Sequence, residues 1–347
     1  MGDLSAGLSW LRVEGRAIVA GDAATPIRLR GVNRSGLEYA EPGDRGFLEA
    51  AGFSEEEVAE IVTPWRARVL RLPFNQEFAL RGRGRWSAED YLSSLDRVIH
   101  WAARLGCYTL LDLQWLDATR AFGTNADGTI NRVPPLPDAG SIDVWATLAA
   151  RYHDEPAVLV DLFNEPHDPL PDDPHELMGI EPDGSLALLH QWRVGMTEWQ
   201  PWARRLIDVI RGQHPAALIF VSGVRWAYDL RGMPLTQPDG RPIANLVYST
   251  HVYPWSRTSA LALGGWERDW YRAFGWLTSR APVFAGEWGG FDHHVDWGRR
   301  ALAYFDRHDM GWCAWSWADD PCLVRNCRSK DYSPTAFGEI VRDALRV

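Results

Sequence analysis

The sequence predicts an α/β fold, a (β/α)8 TIM barrel, spread over its 347 residues. Three observations carry that expectation. Eight short apolar segments with strand character recur along the chain, alternating with helix-patterned or helix-length connections. Several of these segments stop on polar residues, which is where a parallel barrel places its chemistry. No internal repeat and no linker divides the chain, so residues 1–347 are expected to form one domain. Its first 26 residues, 1–26, should form a hairpin that caps the barrel.

The hairpin is read from Leu11-Arg12-Val13 and Ile18-Val19, turned by Gly15. Ile27 to Asn33 is the first barrel strand and ends on an amide. Residues 34–53 read as a long loop. Ser54 followed by Glu55, Glu56 and Glu57 is an N-cap with acids in the first turn, so a helix starts there. Ala67 to Pro73 is the second strand, ended by its proline. Ser87 to Asp90 caps an amphipathic helix, with Tyr91, Leu92, Leu95, Val98, Ile99 and Ala102 on one face, and Gly106 ends it. Cys107 to Leu113 is the third strand and runs into Gln114 and Trp115. Ser141 opens a helix to about Tyr152. The fourth strand starts at Ala157 as a nearly continuous apolar run, as a doubly buried parallel strand does. It should last until Pro166, placing Asn164 and Glu165 at its carboxyl end. Ala217–Gly223, Leu246–His251, Pro282–Glu287 and Gly311–Trp317 are the fifth to eighth strands. Helices are expected near 198–212, 266–277, 294–307 and 335–345, and the fifth connection is the least helical.

Composition narrows the function classes. The net charge is −10, which argues against nucleic acid as a partner, because binding phosphates needs a basic surface. No segment approaches the ~20 apolar residues of a membrane span, so no membrane partner is expected. Met1 to Trp10 lacks a basic start and an apolar core, so it does not read as a signal peptide. The protein is then secreted if a leader was trimmed, and otherwise cytoplasmic. A monomer is expected. Cys107 and Cys313 read as core thiols, while Cys322 and Cys327 are close enough in sequence to form a local disulfide. No Cys/His spacing resembles a zinc site. The adjacent His293 and His294 should point apart at a helix start. The 19 tryptophans exceed the 12 phenylalanines, and stacking on flat sugar rings is one reason to keep so many indoles.

The strand ends carry Asn33, Arg71, Gln114-Trp115, Asn164-Glu165, Ser222, His251 with Tyr253, Glu287-Trp288 and Trp315. No phosphate loop or metal-ligand cluster occurs among them. Two glutamates facing each other across a barrel mouth suit glycoside hydrolysis. One must hold a proton for the leaving oxygen, and the other must be ionised. Environment divides those roles.

Arg71-Leu72-Pro73, Asn164-Glu165-Pro166, His251-Val252-Tyr253, Gly286-Glu287-Trp288-Gly289 and Trp315 occur in this order at successive strand ends. The ordered set resembles glycoside hydrolase family 5, the cellulase-type retaining β-glycosidases, over nearly the whole chain. The resemblance implies catalysis without cofactor or metal. It implies Glu165 as acid/base and Glu287 as nucleophile. Asn164 would bond the sugar 2-hydroxyl, and Arg71 would keep Glu287 charged. Tyr253 would donate to Glu287, His251 would position Glu165 or touch the sugar, and Trp315 would be the stacking platform. Gln114, Trp115 and Trp288 are expected as further substrate contacts. Gln114 stands where the family usually has His, and reads as a changed sugar contact.

The expected reaction is cleavage of a β-1,4-linked glucan, with a β-glycan or oligosaccharide as the partner. A β-mannanase or an exo-acting β-glycosidase would use the same scaffold. The loops at 34–53, 116–140 and 167–195 decide between an open groove and a closed end. A non-catalytic carbohydrate-binding barrel has no need of both Glu165 and Glu287.

Overall fold

A computed structural model of the protein describes residues 7–117, 134–168, 194–256 and 265–347, with the backbone of 179–180 and 186–187. Eight parallel strands close into a barrel: β1 (Arg30–Asn33), β2 (Val69–Asn75), β3 (Tyr108–Trp115), β4 (Val158–Asp161), β5 (Ile219–Ser222), β6 (Leu246–Val252), β7 (Val283–Trp288) and β8 (Gly311–Ala314). Each pairs with its sequence neighbours, and β8 pairs with β1 to complete the ring. This is the predicted (β/α)8 fold.

Local signals explain the helices around it. Ser54 accepts from the Glu57 amide and starts the helix Glu55–Val62. Ser87 and Asp90 form a capping box at the head of Ala88–Arg104. Thr335 caps Ala336–Leu345 by accepting from the Gly338 amide. The helix expected from Ser141 begins earlier, at Ala139, because Asp138 rather than Ser141 is its cap. The fifth connection carries turns and isolated bridges in place of a helix.

Several strand ends differ from expectation, among them β8, which stops at Ala314 rather than Trp317. Pro73 does not stop β2, which pairs with β3 through Asn75. Strand β4 stops at Asp161, short of Pro166. Beyond it the chain stays extended, with Leu162 N donating to Phe220 O and Asn164 N to Leu113 O. Asn164 and Glu165 therefore sit on the loop just above the strand.

Alternate residues of each strand point into the barrel. The lower layer is apolar: Leu29, Val69, Leu110, Leu159, Phe220, Val247 and Phe284 pack together with Cys313. The N-terminal hairpin, Leu11–Glu14 with Ala17–Ala20, adds Leu11 and Ile18 to this cluster and so plugs that end. One step up each strand the inward residues become polar: Arg71, Asp112, Asp161, Ser222 and Ser249, all buried. The barrel is thus apolar below and charged above, and the site stands on the charged layer.

Part of the tryptophan excess serves the core rather than a sugar site. Trp65, Trp145, Trp199, Trp270, Trp288, Trp312 and Trp317 are fully buried. They fill the space between strands and helices, where large flat side chains bury the most area. Cys107 and Cys313 are buried core thiols, and Cys322 and Cys327 are both free.

Candidate active site

The upper ends of β6 and β7 depart from regular pairing. The register shifts between Thr250 and His251 against β7, and between Ala285 and Trp288 against β8. Such bulges re-aim side chains next to active sites. Here they place His251 directly opposite Glu287 in the ladder. Gly286 makes that approach possible, since a Cβ there would lie 2.4 Å from Ser249 Oγ and 3.1 Å from His251 Nε2.

Glu165 and Glu287 meet in the barrel mouth with His251. One carboxylate oxygen of each and one ring nitrogen all lie within 4.8 Å of one another. His251 Nδ1 is 2.8 Å from Glu165 Oε1 and 3.5 Å from Glu287 Oε2. Glu287 is held on both oxygens: Arg71 Nη1 donates to Oε1 at 2.8 Å and the Tyr253 hydroxyl to Oε2 at 2.8 Å. Among the described residues these three form the one His–carboxylate cluster compact enough for a shared cation. A cation there would compete with the fixed Arg71 charge already bonded to Glu287.

The two glutamates stand in different surroundings. Burial pushes Glu165 up to about 7, against the opposing pull of His167 and Arg71. It therefore keeps its proton below about pH 7. Glu287 has a full guanidinium charge and a phenol donor at hydrogen-bond distance. Burial drives His251 down to about 3, so its imidazole is neutral at any working pH. Tyr253 stays protonated, because burial and the neighbouring Glu287 both raise its pKa. The mouth thus offers a proton donor and a charge-paired carboxylate a few ångströms apart.

Arg71 organises the floor of the site. It is fully buried and every nitrogen is engaged. Nε donates to Asp161 at 2.9 Å, Nη1 to Asn33 at 2.9 Å as well as to Glu287, and Nη2 to Asn164 at 2.9 Å. Nη2 also lies 2.9 Å from Asp112 Oδ1, without the alignment of a hydrogen bond. Asn33 is fixed in turn by donating to Gly286 O and Cys313 O.

Of the other anticipated residues, Gln114 and Trp115 end β3 half-buried in the same mouth, with Trp115 tilted against Tyr39 at 5.9 Å. Trp315 is half-buried above β8 and donates its Nε1 to Asp320 O at 3.2 Å. Trp288 is a correction. It follows Glu287 on the strand, so it points away from the mouth into the helix layer. There it is completely buried against Phe305, Trp312 and Phe337, and it has no face to offer a sugar. His293 and His294 do not point apart: their rings lie 3.9 Å from each other. Sequence reasoning missed Asp112 and Asp161. The available signal was a carboxylate inside each apolar strand, Leu111-Asp112-Leu113 and Val160-Asp161-Leu162. Of the loops expected to shape the groove, residues 118–133 and 169–193 lie outside the residues whose side chains are described. Residues 34–53 contain two short helices, Leu37–Tyr39 and Phe47–Ala51.

A closed parallel barrel with two glutamates at its mouth is the arrangement used by TIM-barrel glycoside hydrolases. Comparison with known proteins refines the class. The family model for cellulase, glycosyl hydrolase family 5, matches residues 22–321. The chain belongs to that family. Cellulase CelDZ1 from a Thermoanaerobacterium species is 22% identical, over 96% of this chain and 75% of its own length. The barrel superposes on β-glucanase SdGluc5_26A of Saccharophagus degradans, solved with cellotetraose, with a TM-score of 0.72 at 21% identity, covering 99% of this chain and 94% of that one. The catalytic domain of Thermobifida fusca endoglucanase Cel5A, also solved with cellotetraose, gives 0.66 at 18% identity over all of both chains.

Proposed function

We propose that this glycoside hydrolase cleaves β-1,4-linked glucan chains with retention, by double displacement on Glu165 and Glu287. One observation carries the reading: oxygens of the two carboxylates lie within 4.8 Å of each other. Retaining enzymes hold the pair about 5–5.5 Å apart, and inverting ones about 6.5–9.5 Å, to admit a water. The cellotetraose complexes of the Saccharophagus and Thermobifida relatives support a β-glucan substrate.

In the first step Glu165 gives its proton to the departing glycosidic oxygen while Glu287 attacks the anomeric carbon. Glu165 then takes a proton from water, which releases the sugar from Glu287. The proton state of Glu165 suits the acid role. Arg71 and Tyr253 aim both oxygens of Glu287 and balance its charge before attack. Neutral His251 holds Glu165 in place without adding a competing charge. Asn164 spends its Oδ1 on Arg71, which reserves its amide donor for the 2-hydroxyl. Trp315 supplies an apolar face for the ring at the cleavage site, with Gln114 and Trp115 at its edge.

A 2-deoxy-2-fluoro cellobioside with a good leaving group tests the mechanism. It should label Glu287, found by peptide mass, and proton NMR of early cellotetraose products should show the β-anomer. An α-anomer at early times, or a label on another residue, overturns the double-displacement reading. Product sizing on β-glucan, mannan and xylan tests the substrate.

A further inference from the structure

Beneath the two glutamates one guanidinium serves three buried carboxylates. Arg71 is 2.9 Å from Asp112, 2.9 Å from Asp161 and 2.8 Å from Glu287. Asp112 and Asp161 are both wholly buried. They are also direct partners in the β3–β4 ladder, which puts two like groups side by side. Like charges so placed repel, and one positive charge cannot balance three buried negative ones. The usual outcome for two carboxyls sharing such a site is that one keeps its proton.

The hydrogen bonds distinguish the two. Asp161 accepts from Arg71 Nε at 2.9 Å in good geometry. Asp112 accepts no hydrogen bond on either oxygen. A carboxylate gains most from donors, so the charge belongs on Asp161 and the proton on Asp112. Asp161 Oδ1 is likewise buried without a partner, while its Oδ2 carries the Arg71 bond. The ionisable groups that face Asp112 are Arg71 on β2, Asp161 on β4, Glu287 on β7 and Glu38 in the short helix Leu37–Tyr39. Burial is the strongest influence on Asp112 and raises its pKa well above the usual carboxylate range. Arg71 opposes that rise, and the three acids add to it.

We infer that Asp112 is carried as a neutral carboxylic acid in the resting enzyme, and that Asp161 is the charged residue that orients Arg71 on Glu287. Both are positioning residues with different charge states. Asp161 anchors Nε, so the guanidinium edge carrying Nη1 and Nη2 is turned toward Glu287 and Asn164. Asp112 fills the adjoining space without adding a charge that would draw Arg71 away from Glu287. The inference builds on the double-displacement reading only for its kinetic consequence. The protonation states stand on the buried cluster itself.

The test is infrared difference spectroscopy of the whole enzyme at neutral pH. Subtracting the Asp112→Asn spectrum from wild type should leave a carboxylic-acid C=O band. Subtracting Asp161→Asn should leave carboxylate bands. A carboxylate band for Asp112 overturns the assignment, and Asp112→Ser provides the same subtraction if the Asn variant does not fold. Kinetics give a second readout. Asp161→Asn removes a real anion beside Arg71 and Glu287, so the acid limb of kcat/KM should move to lower pH by about half a unit or more. Asp112→Asn should leave that limb in place, and equal shifts in the two variants also overturn the inference. If wild type hydrolyses no glycoside tested, the functional reading fails while the infrared result still decides the charge states.

Discussion

His251 Nδ1 rests 2.8 Å from Glu165 Oε1, and the imidazole is 1% exposed. This pairs a histidine that cannot charge with a glutamate that keeps its proton. Burial sets both states, lowering His251 to about 3 and raising Glu165 to about 7. The first prediction follows from that pair. The kcat/KM profile on cellotetraose should fall as pH rises through about 7, as Glu165 loses the proton it must donate. A profile flat to about pH 9 would falsify the role of Glu165.

Replacing Glu165 by Gln should cost about 10²–10⁴-fold in kcat/KM on cellotetraose, the usual worth of a general acid. A substrate with a leaving group that needs no protonation should lose much less in its first step. Comparing cellotetraose with a dinitrophenyl cellobioside makes the check, and equal losses on both would remove the acid role.

The same substitution has a stability consequence with a definite sign. Folding raises the Glu165 pKa from 4.5 to about 7. The stabilisation from protonated Glu165 is complete below the unfolded value and is lost as pH rises through about 7. At about 1.4 kcal/mol per pH unit, the loss amounts to roughly 3 kcal/mol by pH 8. Glu165→Gln has no such dependence. Denaturant unfolding of both proteins at pH 5 and pH 8 should therefore show the variant gaining on wild type at the higher pH.

Arg71→Lys should be severe despite conserving charge. A lysine ammonium cannot span Asn33, Asp161, Asn164 and Glu287 as the planar guanidinium does. Breaking a buried pair of this kind costs about 3–5 kcal/mol. Thermal unfolding should show a large loss, with activity near background. Tyr253→Phe removes a single donor to Glu287. A hydrogen bond to a charged group is worth about 1.5–3 kcal/mol, which corresponds to roughly a 10–100-fold fall in kcat. Its melting temperature should change little.

Two tryptophans near the eighth strand separate packing from binding. Trp288 is fully buried among aromatic rings, so Trp288→Ala should cost about 3–5 kcal/mol of stability. What enzyme remains folded should keep its KM. Trp315 is half-buried at the mouth. Trp315→Ala should raise KM or lower kcat with a smaller stability loss. Denaturation midpoints and cellotetraose kinetics on both variants make the comparison, and the reverse pattern would place Trp288 in the binding cleft.

Much of the architecture was legible because its signals are local. Capping residues such as Ser54, Ser87 and Thr335 mark helix starts through contacts three residues away. Apolar runs of strand length, spaced by helix-length connections, imply a parallel barrel because buried strands need apolar residues on both faces. The ordered strand ends carry Arg71, Glu165, His251, Tyr253 and Glu287 into one mouth, since a closed barrel brings all its carboxyl ends together.

What the tertiary structure alone decided was side-chain direction and charge. Glu287 and Trp288 are adjacent, yet one faces the mouth and the other the core, and a bulge in β7 determines which. Asp112 and Asp161 are lone acids in apolar strands, and only closure of the barrel brings them around Arg71. The proton on Glu165 is likewise a product of burial, which no local pattern encodes. Residue type and spacing are properties of the chain. Register, desolvation and the sharing of one cation among three acids exist only once distant strands meet.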